Sequence, residues 1–399
     1  MTNSFVLSGA TIISEDRTHT NSTLYIENGK IVNILPQSHE HVTHSNLEIT
    51  LPDNAFILPG FIDLHIHGAN GSDVMDATPE ALSNIAHTIA QEGTTSFLAT
   101  TITQSPELIK EALKNVASTV QNEQQNTGAK ILGVHLEGPF ISAPRAGAQP
   151  LHYITNPSIE QFNDWYTASN ELIHLVTYAP EKENGLTFTR HLKELGVIPS
   201  IGHSDAVFTE VKDAICAGAR HITHLYNGMR GFHHREPGVA GTALSSSELF
   251  VELIVDGIHV HPDVVKTTLA AKGADKIILI TDSMRAKWLE EGTYDLGGQT
   301  VKYQNGQALL DNGSLAGSVL KMNEAVKNMV HFSGCSLEEV AVMASANPAK
   351  QLGLFDSKGS IRNGKDADLT VLSHDFEVLL TISEGRIVYD KRGVAHENH

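Results

Sequence analysis

Short apolar runs alternate with amphipathic stretches through the middle of the chain, a pattern that predicts repeated strand–helix units. The runs at 61–66, 94–100, 131–136, 172–178, 197–202, 220–225, 251–256 and 277–282 read as eight strands. Thr78-Pro79-Glu80, Ser105-Pro106-Glu107 and His261-Pro262-Asp263 each open a helix with a cap and a proline at its first position. Gly93, Gly196 and Gly218 follow helical stretches, where a left-handed terminator is expected. Eight such units fit a (β/α)8 barrel. Residues 284–318, rich in glycine and turn formers, read as irregular, with two helices following at 319–333 and 336–345.

The ends have another style. Short β-type runs separated by turns fill the first 50 residues, with Asn28-Gly29 as a hairpin signal, and Glu384-Gly385 repeats the device near the other end. The expected fold class is therefore α/β: a (β/α)8 TIM barrel over 56–350, with a small β-sandwich-like domain formed by both termini, 1–55 and 351–399.

Composition narrows the function. The 399 residues suffice for one large domain of roughly 250–300 residues and a smaller one. A net charge of −18 disfavours nucleic acid or an anionic membrane as partner, since both need a basic face. No apolar run approaches the roughly 20 residues that span a bilayer. Only Cys216 and Cys335 are present, which fits a reducing compartment, and Cys216 is expected to be a buried small residue. The start, Met1-Thr2-Asn3-Ser4-Phe5, lacks a basic region before an apolar core, so no secretory signal and a cytoplasmic location are expected. There are 22 histidines, and position must decide which matter; His396 and His399 in the tail are given no role.

Position points to one set. His65 and His67 close the first barrel strand, and period-2 alternation places both imidazoles on one face. Glu137 ends the third strand, His203 and His224 follow the fifth and sixth, and Asp282 closes the eighth. A barrel gathers such strand ends at one mouth, where imidazole and carboxylate suit a borderline divalent metal. A carboxylate such as Glu137 has two oxygens with which to bridge two ions. His233-His234-Arg235 is a rare cationic cluster in an acidic chain, as an anionic group such as phosphate requires.

The string Pro59-Gly60-Phe61-Ile62-Asp63-Leu64-His65-Ile66-His67-Gly68 resembles the first-strand motif of the amidohydrolase superfamily. Further strings are similar to the N-acetylglucosamine-6-phosphate deacetylase family within it: His135-Leu136-Glu137-Gly138-Pro139-Phe140, Gly202-His203-Ser204, His224-Leu225-Tyr226-Asn227, Arg235-Glu236-Pro237-Gly238, Asp256-Gly257-Ile258-His259 and Leu315-Ala316-Gly317-Ser318. The resemblance spans essentially the whole chain.

The resemblance implies hydrolysis of a phosphosugar acetamide. His65, His67, Glu137, His203, His224 and Asp282 would hold divalent metal, two ions per subunit, with zinc, iron, manganese and cobalt not distinguished. Asp282 would be the catalytic acid and base. Glu137 would bridge the ions, where many superfamily members use a carboxylated lysine that this chain lacks. Ala148, Gln149, Asn227, Gly228, His259, Leu315, Ala316 and Gly317 match substrate-contacting positions; some members carry histidine in place of Gln149. Arg235 matches a phosphate-binding residue that crosses a homodimer interface. Two other readings stay open from residues alone: another amidohydrolase of this barrel type, including one for the galactosamine epimer, and a catalytically inactive barrel used as a scaffold.

Overall fold

The structure, a computed structural model, describes residues 4–36, 47–122 and 128–392. Met1–Asn3, His396 and His399 lie outside the described residues. Eight parallel strands form one sheet in chain order: β1 Phe61–Ile66, β2 Thr94–Thr101, β3 Lys130–Glu137, β4 Ile173–Tyr178, β5 Ile198–Ile201, β6 His221–Ile222, β7 Phe250–Ile254 and β8 Ile277–Ile280. Each coincides with an expected run. Just beyond β8 the chain closes on β1, where Asp282 N donates to His65 O at 2.8 Å and His67 N to Ser283 O at 2.9 Å.

Helices cover the outside, and the expected caps are formed. Thr78 Oγ1 accepts from Ala81 N and Ser105 Oγ from Leu108 N, ahead of prolines that fill a position with no donor to satisfy. Leu82, Ile85 and Ile89 turn one buried stripe inward at helical spacing and pack with Phe97 of β2. Cys216 differs from expectation: it lies on the outward face of helix Phe208–Ala217 and is exposed. Val211, Ala214 and Ile215 take the buried face, and position 216 falls off that stripe.

The terminal strands make two sheets. Phe5–Ser8, Ser22–Glu27, Lys30–Pro36 and Glu48–Thr50 form one; Thr11–Ile13, Thr18–His19, Phe56–Pro59, Leu369–Leu372, Val378–Ser383 and Arg386–Asp390 form the other. Leu7, Leu24 and Ile31 of the first share a core with Ile57, Val371 and Leu380 of the second. Only Gly60 separates Phe56–Pro59 from β1, and its N–H donates to Asp368 O at 2.8 Å. The sandwich thus anchors the start of the strand that carries His65.

Two segments differ from the sequence expectation. Residues 284–318 contain a three-stranded antiparallel sheet, Gly292–Leu296, Gln299–Gln304 and Gln307–Leu310, with turns at Gly297-Gly298 and Asn305-Gly306. Only Leu296, Val301, Ala308 and Leu310 of its strand residues are buried, so its apolar signal is thin. The second late helix spans Leu337–Ala341, widens into a π turn at Val342–Ala346 and resumes at Asn347–Gln351. The π turn leads up to Pro348, which has no N–H to donate.

Candidate active site

The six expected ligand residues meet at the C-terminal mouth of the barrel. Glu137 is central. Its Oε1 lies 3.1 Å from His224 Nε2, 3.3 Å from His203 Nε2 and 3.4 Å from His65 Nε2. Its Oε2 lies 3.3 Å from His67 Nε2. Asp282 Oδ1 is 3.4 Å from both His65 Nε2 and His67 Nε2. Two metal-type groups result, Glu137–His203–His224 and His65–His67–Asp282, each with donor atoms within 4.8 Å of one another.

Backbone geometry aims these side chains. His203, His224 and Asp282 have φ of 47°, 30° and 49°, in the left-handed region that side-chain-bearing residues rarely occupy. Each sits just past its strand, where this conformation turns the side chain into the mouth. Such residues cost on the order of 1–3 kcal/mol each and persist where the surroundings over-determine them. Here Ser142 N donates to His203 O at 2.8 Å, and His224 N donates to Glu252 Oε2 at 3.0 Å. Gly228 packs against the same ligand: a Cβ there would lie 2.9 Å from His203 Nδ1.

The rings are oriented from behind. His65 Nδ1 donates to Glu252 Oε2 at 3.1 Å, and His203 Nδ1 donates to Arg145 O at 2.8 Å. Each bond fixes the orientation of its ring and turns its Nε2 toward Glu137. His65 Nε2 is buried and makes no hydrogen bond. A buried imidazole nitrogen beside two carboxylates suits a cation, so the residues present fit a divalent metal.

The electrostatics agree. Burial alone would raise Glu137, yet the imidazoles of His65, His203 and His224 hold its carboxyl well below the usual range. Burial also works against Asp282, but His65 and His67 keep it lowered, hence ionised. His67 is pushed up to about 9 by Asp282 and Glu137 despite the opposing effect of burial. The field therefore favours positive charge at the centre. Below it the barrel interior is polar. His135 Nε2 meets Thr177 Oγ1 at 2.7 Å, and Thr223 Oγ1 lies 2.6 Å from both Thr177 Oγ1 and Ser200 Oγ.

The mouth opens into a cleft of about 320 Å³ bordered by His67, Glu137, His203, His224 and Asp282 together with Ala148, Gln149, Asn227, Gly228, His259, Leu315 and Gly317. His259 Nδ1 donates to Asp256 Oδ2 at 2.6 Å, and this carboxylate raises the imidazole against the effect of burial. Ala316 does not border the cleft; its methyl packs with Ala308 and Leu296 under the three-stranded sheet. Arg235 stands on an exposed segment, its Nη1 2.8 Å from His234 Nε2, and is not among the cleft's lining residues. The sequence did not point to Glu252, a lone acid inside an apolar strand, nor to the lining residues Ile102, Gly147, Leu296 and Ser314. The acid in Val251-Glu252-Leu253 was the available signal, since a buried charge requires partners.

A parallel barrel with two histidine–carboxylate groups at its mouth defines a metal-dependent hydrolase of the amidohydrolase class. The chain belongs to the amidohydrolase family, whose sequence profile matches residues 56–388. It is 47% identical over 390 residues to the N-acetylglucosamine-6-phosphate deacetylase of Bacillus subtilis, covering 98% of each chain. It is 37% identical to the N-acetylgalactosamine-6-phosphate deacetylase of Escherichia coli O157:H7, covering 86% of this chain and 90% of the relative. Among solved structures, N-acetylglucosamine-6-phosphate deacetylase from Thermotoga maritima matches with a TM-score of 0.86 at 35% identity, covering 96% of this chain and 99% of the other. A Mycobacterium smegmatis deacetylase mutant in complex with N-acetyl-D-glucosamine-6-phosphate matches at 0.89 and 29% identity, over 96% and 99%.

Proposed function

We propose that the chain hydrolyses the acetamide of N-acetylglucosamine-6-phosphate, releasing acetate and glucosamine-6-phosphate. The observation that carries this reading is the convergence of both ligand groups on Glu137, with Asp282 at the same centre. The 47% identity to a deacetylase of that substrate supports it.

The Glu137–His203–His224 and His65–His67–Asp282 groups would hold two divalent ions, with Glu137 placed between them. Bound there, such ions supply Lewis acidity that lowers the pKa of water and polarises a carbonyl. Asp282, held ionised, accepts a proton from the attacking water and returns it to the departing sugar amine. Asp256 holds His259 at Nδ1, leaving Nε2 to donate to the acetamide oxygen or a sugar hydroxyl. Asn227, Gly228, Leu315 and Gly317 wall the sugar, together with Ala148 and Gln149. Ala316, between Leu315 and Gly317, anchors that segment by packing into the small core with Leu296 and Ala308.

Arg235 provides the phosphate contact. Its exposed place outside the cleft fits a homodimer in which Arg235 of one subunit serves the neighbouring site. No helix among the described residues is long and apolar enough to cross a membrane. The two unpaired cysteines fit a cytoplasmic location. The galactosamine epimer is the second reading, favoured by the 37% identity to its deacetylase. Acetate release from both epimers and from unphosphorylated N-acetylglucosamine, with metal content measured on the same sample, tests the assignment. Equal rates with and without phosphate would overturn it.

A further inference from the structure

Gln149 touches Glu137 rather than only bordering the cleft. Its side chain is 5% exposed and spans the ends of two barrel strands. Thr103 N donates to Gln149 Oε1 at 2.8 Å, and Gln149 Nε2 donates to Glu137 Oε2 at 2.7 Å. The orientation of this amide is decided by chemistry. A backbone N–H can only donate and an ionised carboxylate can only accept, so the oxygen must face Thr103 and the NH2 must face Glu137. Burial makes both bonds expensive to lose.

The bond selects one carboxylate oxygen. Glu137 Oε1 already faces three Nε2 atoms, those of His65, His203 and His224. Oε2 faces His67 at 3.3 Å and is the oxygen that Gln149 holds. A pivot of the carboxylate about Oε1, which three imidazoles surround, would carry Oε2 away from His67. The charge-assisted bond from Gln149 opposes that pivot. Gly138 leaves room for this arrangement: a Cβ there would fall 2.1 Å from Thr103 Oγ1 and 3.5 Å from Gln149 Oε1.

We propose that Gln149 is a positioning residue for the metal centre. It sets the orientation of the Glu137 carboxylate so that Oε2 is presented to the His65–His67–Asp282 group, and it thereby governs the affinity of the second ion more than the first. The inference rests on the two-ion reading above, but its test does not depend on which substrate is turned over.

Cobalt(II) titration of metal-free protein, followed by visible absorption and checked by competition with a chromophoric chelator, separates the two binding steps without substrate. In wild type two equivalents bind; a single equivalent would overturn the two-ion reading itself. Gln149→Met keeps the volume and removes both polar ends. The expected result is a loss of about 10-fold or more in the affinity of the second equivalent, the range for removing an outer partner of a ligand, with the first changed far less. Gln149→Glu keeps the acceptor for Thr103 N and replaces the donor with an anionic oxygen, so it should show altered second-site affinity too. Metal-free Gln149→Met should still unfold in one cooperative thermal transition, lowered because a buried donor and acceptor lose their partner, which excludes general loss of the fold. Unchanged affinities for both equivalents, with only KM for the phosphosugar raised, would overturn the proposal and leave Gln149 as a substrate contact.

Discussion

Glu252 accepts a hydrogen bond from His65 Nδ1 at 3.1 Å and, through the same oxygen, from the backbone N–H of His224 at 3.0 Å. One carboxylate on β7 thus supports a member of each metal-type group. Its other oxygen meets His221 Nε2 at 3.1 Å. Burial would raise Glu252, yet His65 and His221 hold it well below the usual carboxylate range. Glu252→Gln should weaken metal binding by about 10–100-fold, because a neutral amide neither charges the bond to His65 nor accepts at both ends. Chelator competition checks this; unchanged affinity would refute the supporting role.

Asp282→Asn keeps size and one oxygen but cannot take a proton. Turnover should fall on the order of hundreds-fold or more while metal content stays near wild type. Single-turnover acetate release alongside metal analysis is the measurement, and near-normal activity would remove Asp282 from its role.

Arg235→Ala should raise KM for the phosphorylated sugar by about 10–100-fold, the range of a lost bond to a charged group. The slow rate on the unphosphorylated sugar should not change. An equal effect on both substrates would place the phosphate elsewhere.

Lys287 and Glu92 form an ion pair at 2.9 Å with neither side chain exposed. Glu92 also accepts from Trp288 Nε1 at 2.7 Å and Met322 N at 3.1 Å, tying the segment after Asp282 to the base of β2. Lys287→Met strands a buried carboxylate and should cost about 3–5 kcal/mol in equilibrium unfolding. Adding Glu92→Gln should recover part of the loss, since the uncompensated charge is then gone.

Lys272 Nζ donates to the carbonyls of Ala243, at 2.8 Å, and Ser246. Burial pushes its ammonium down to about 8. The unfolded chain, with an ordinary lysine value of about 10.4, then binds this proton more tightly over the interval between them. Its contribution to stability therefore rises with pH from about 8 to about 10.4. Urea midpoints of wild type and Lys272→Met, compared near pH 7.5 and near pH 9.5, should shift in favour of wild type at the higher pH. A constant difference would show that the amine is not strained by its charge.

The barrel was legible because its strands are mostly buried on both faces and read as largely apolar runs between capped helices. The ligands were legible because each stands where such a run ends. The three-stranded sheet at Gly292–Leu310 was not, since its strands bury only four residues and so carry little apolar signal. Glu252 was hidden for the opposite reason: a charge inside an apolar strand has meaning only through partners distant in sequence.

Local sequence determined the barrel strands and the capped helices between them, and it placed His65, His67, Glu137, His203, His224 and Asp282 at the strand ends. Those are effects of spacing, capping and burial within a dozen or so residues. Tertiary structure decided which oxygen of Glu137 faces which imidazole, how Gln149 holds that carboxylate, and that Arg235 lies outside the cleft. Closing the sheet brings strands far apart in the chain within hydrogen-bonding distance. Orientation of one side chain by another across that gap is a property of the closed barrel, not of any segment of the sequence.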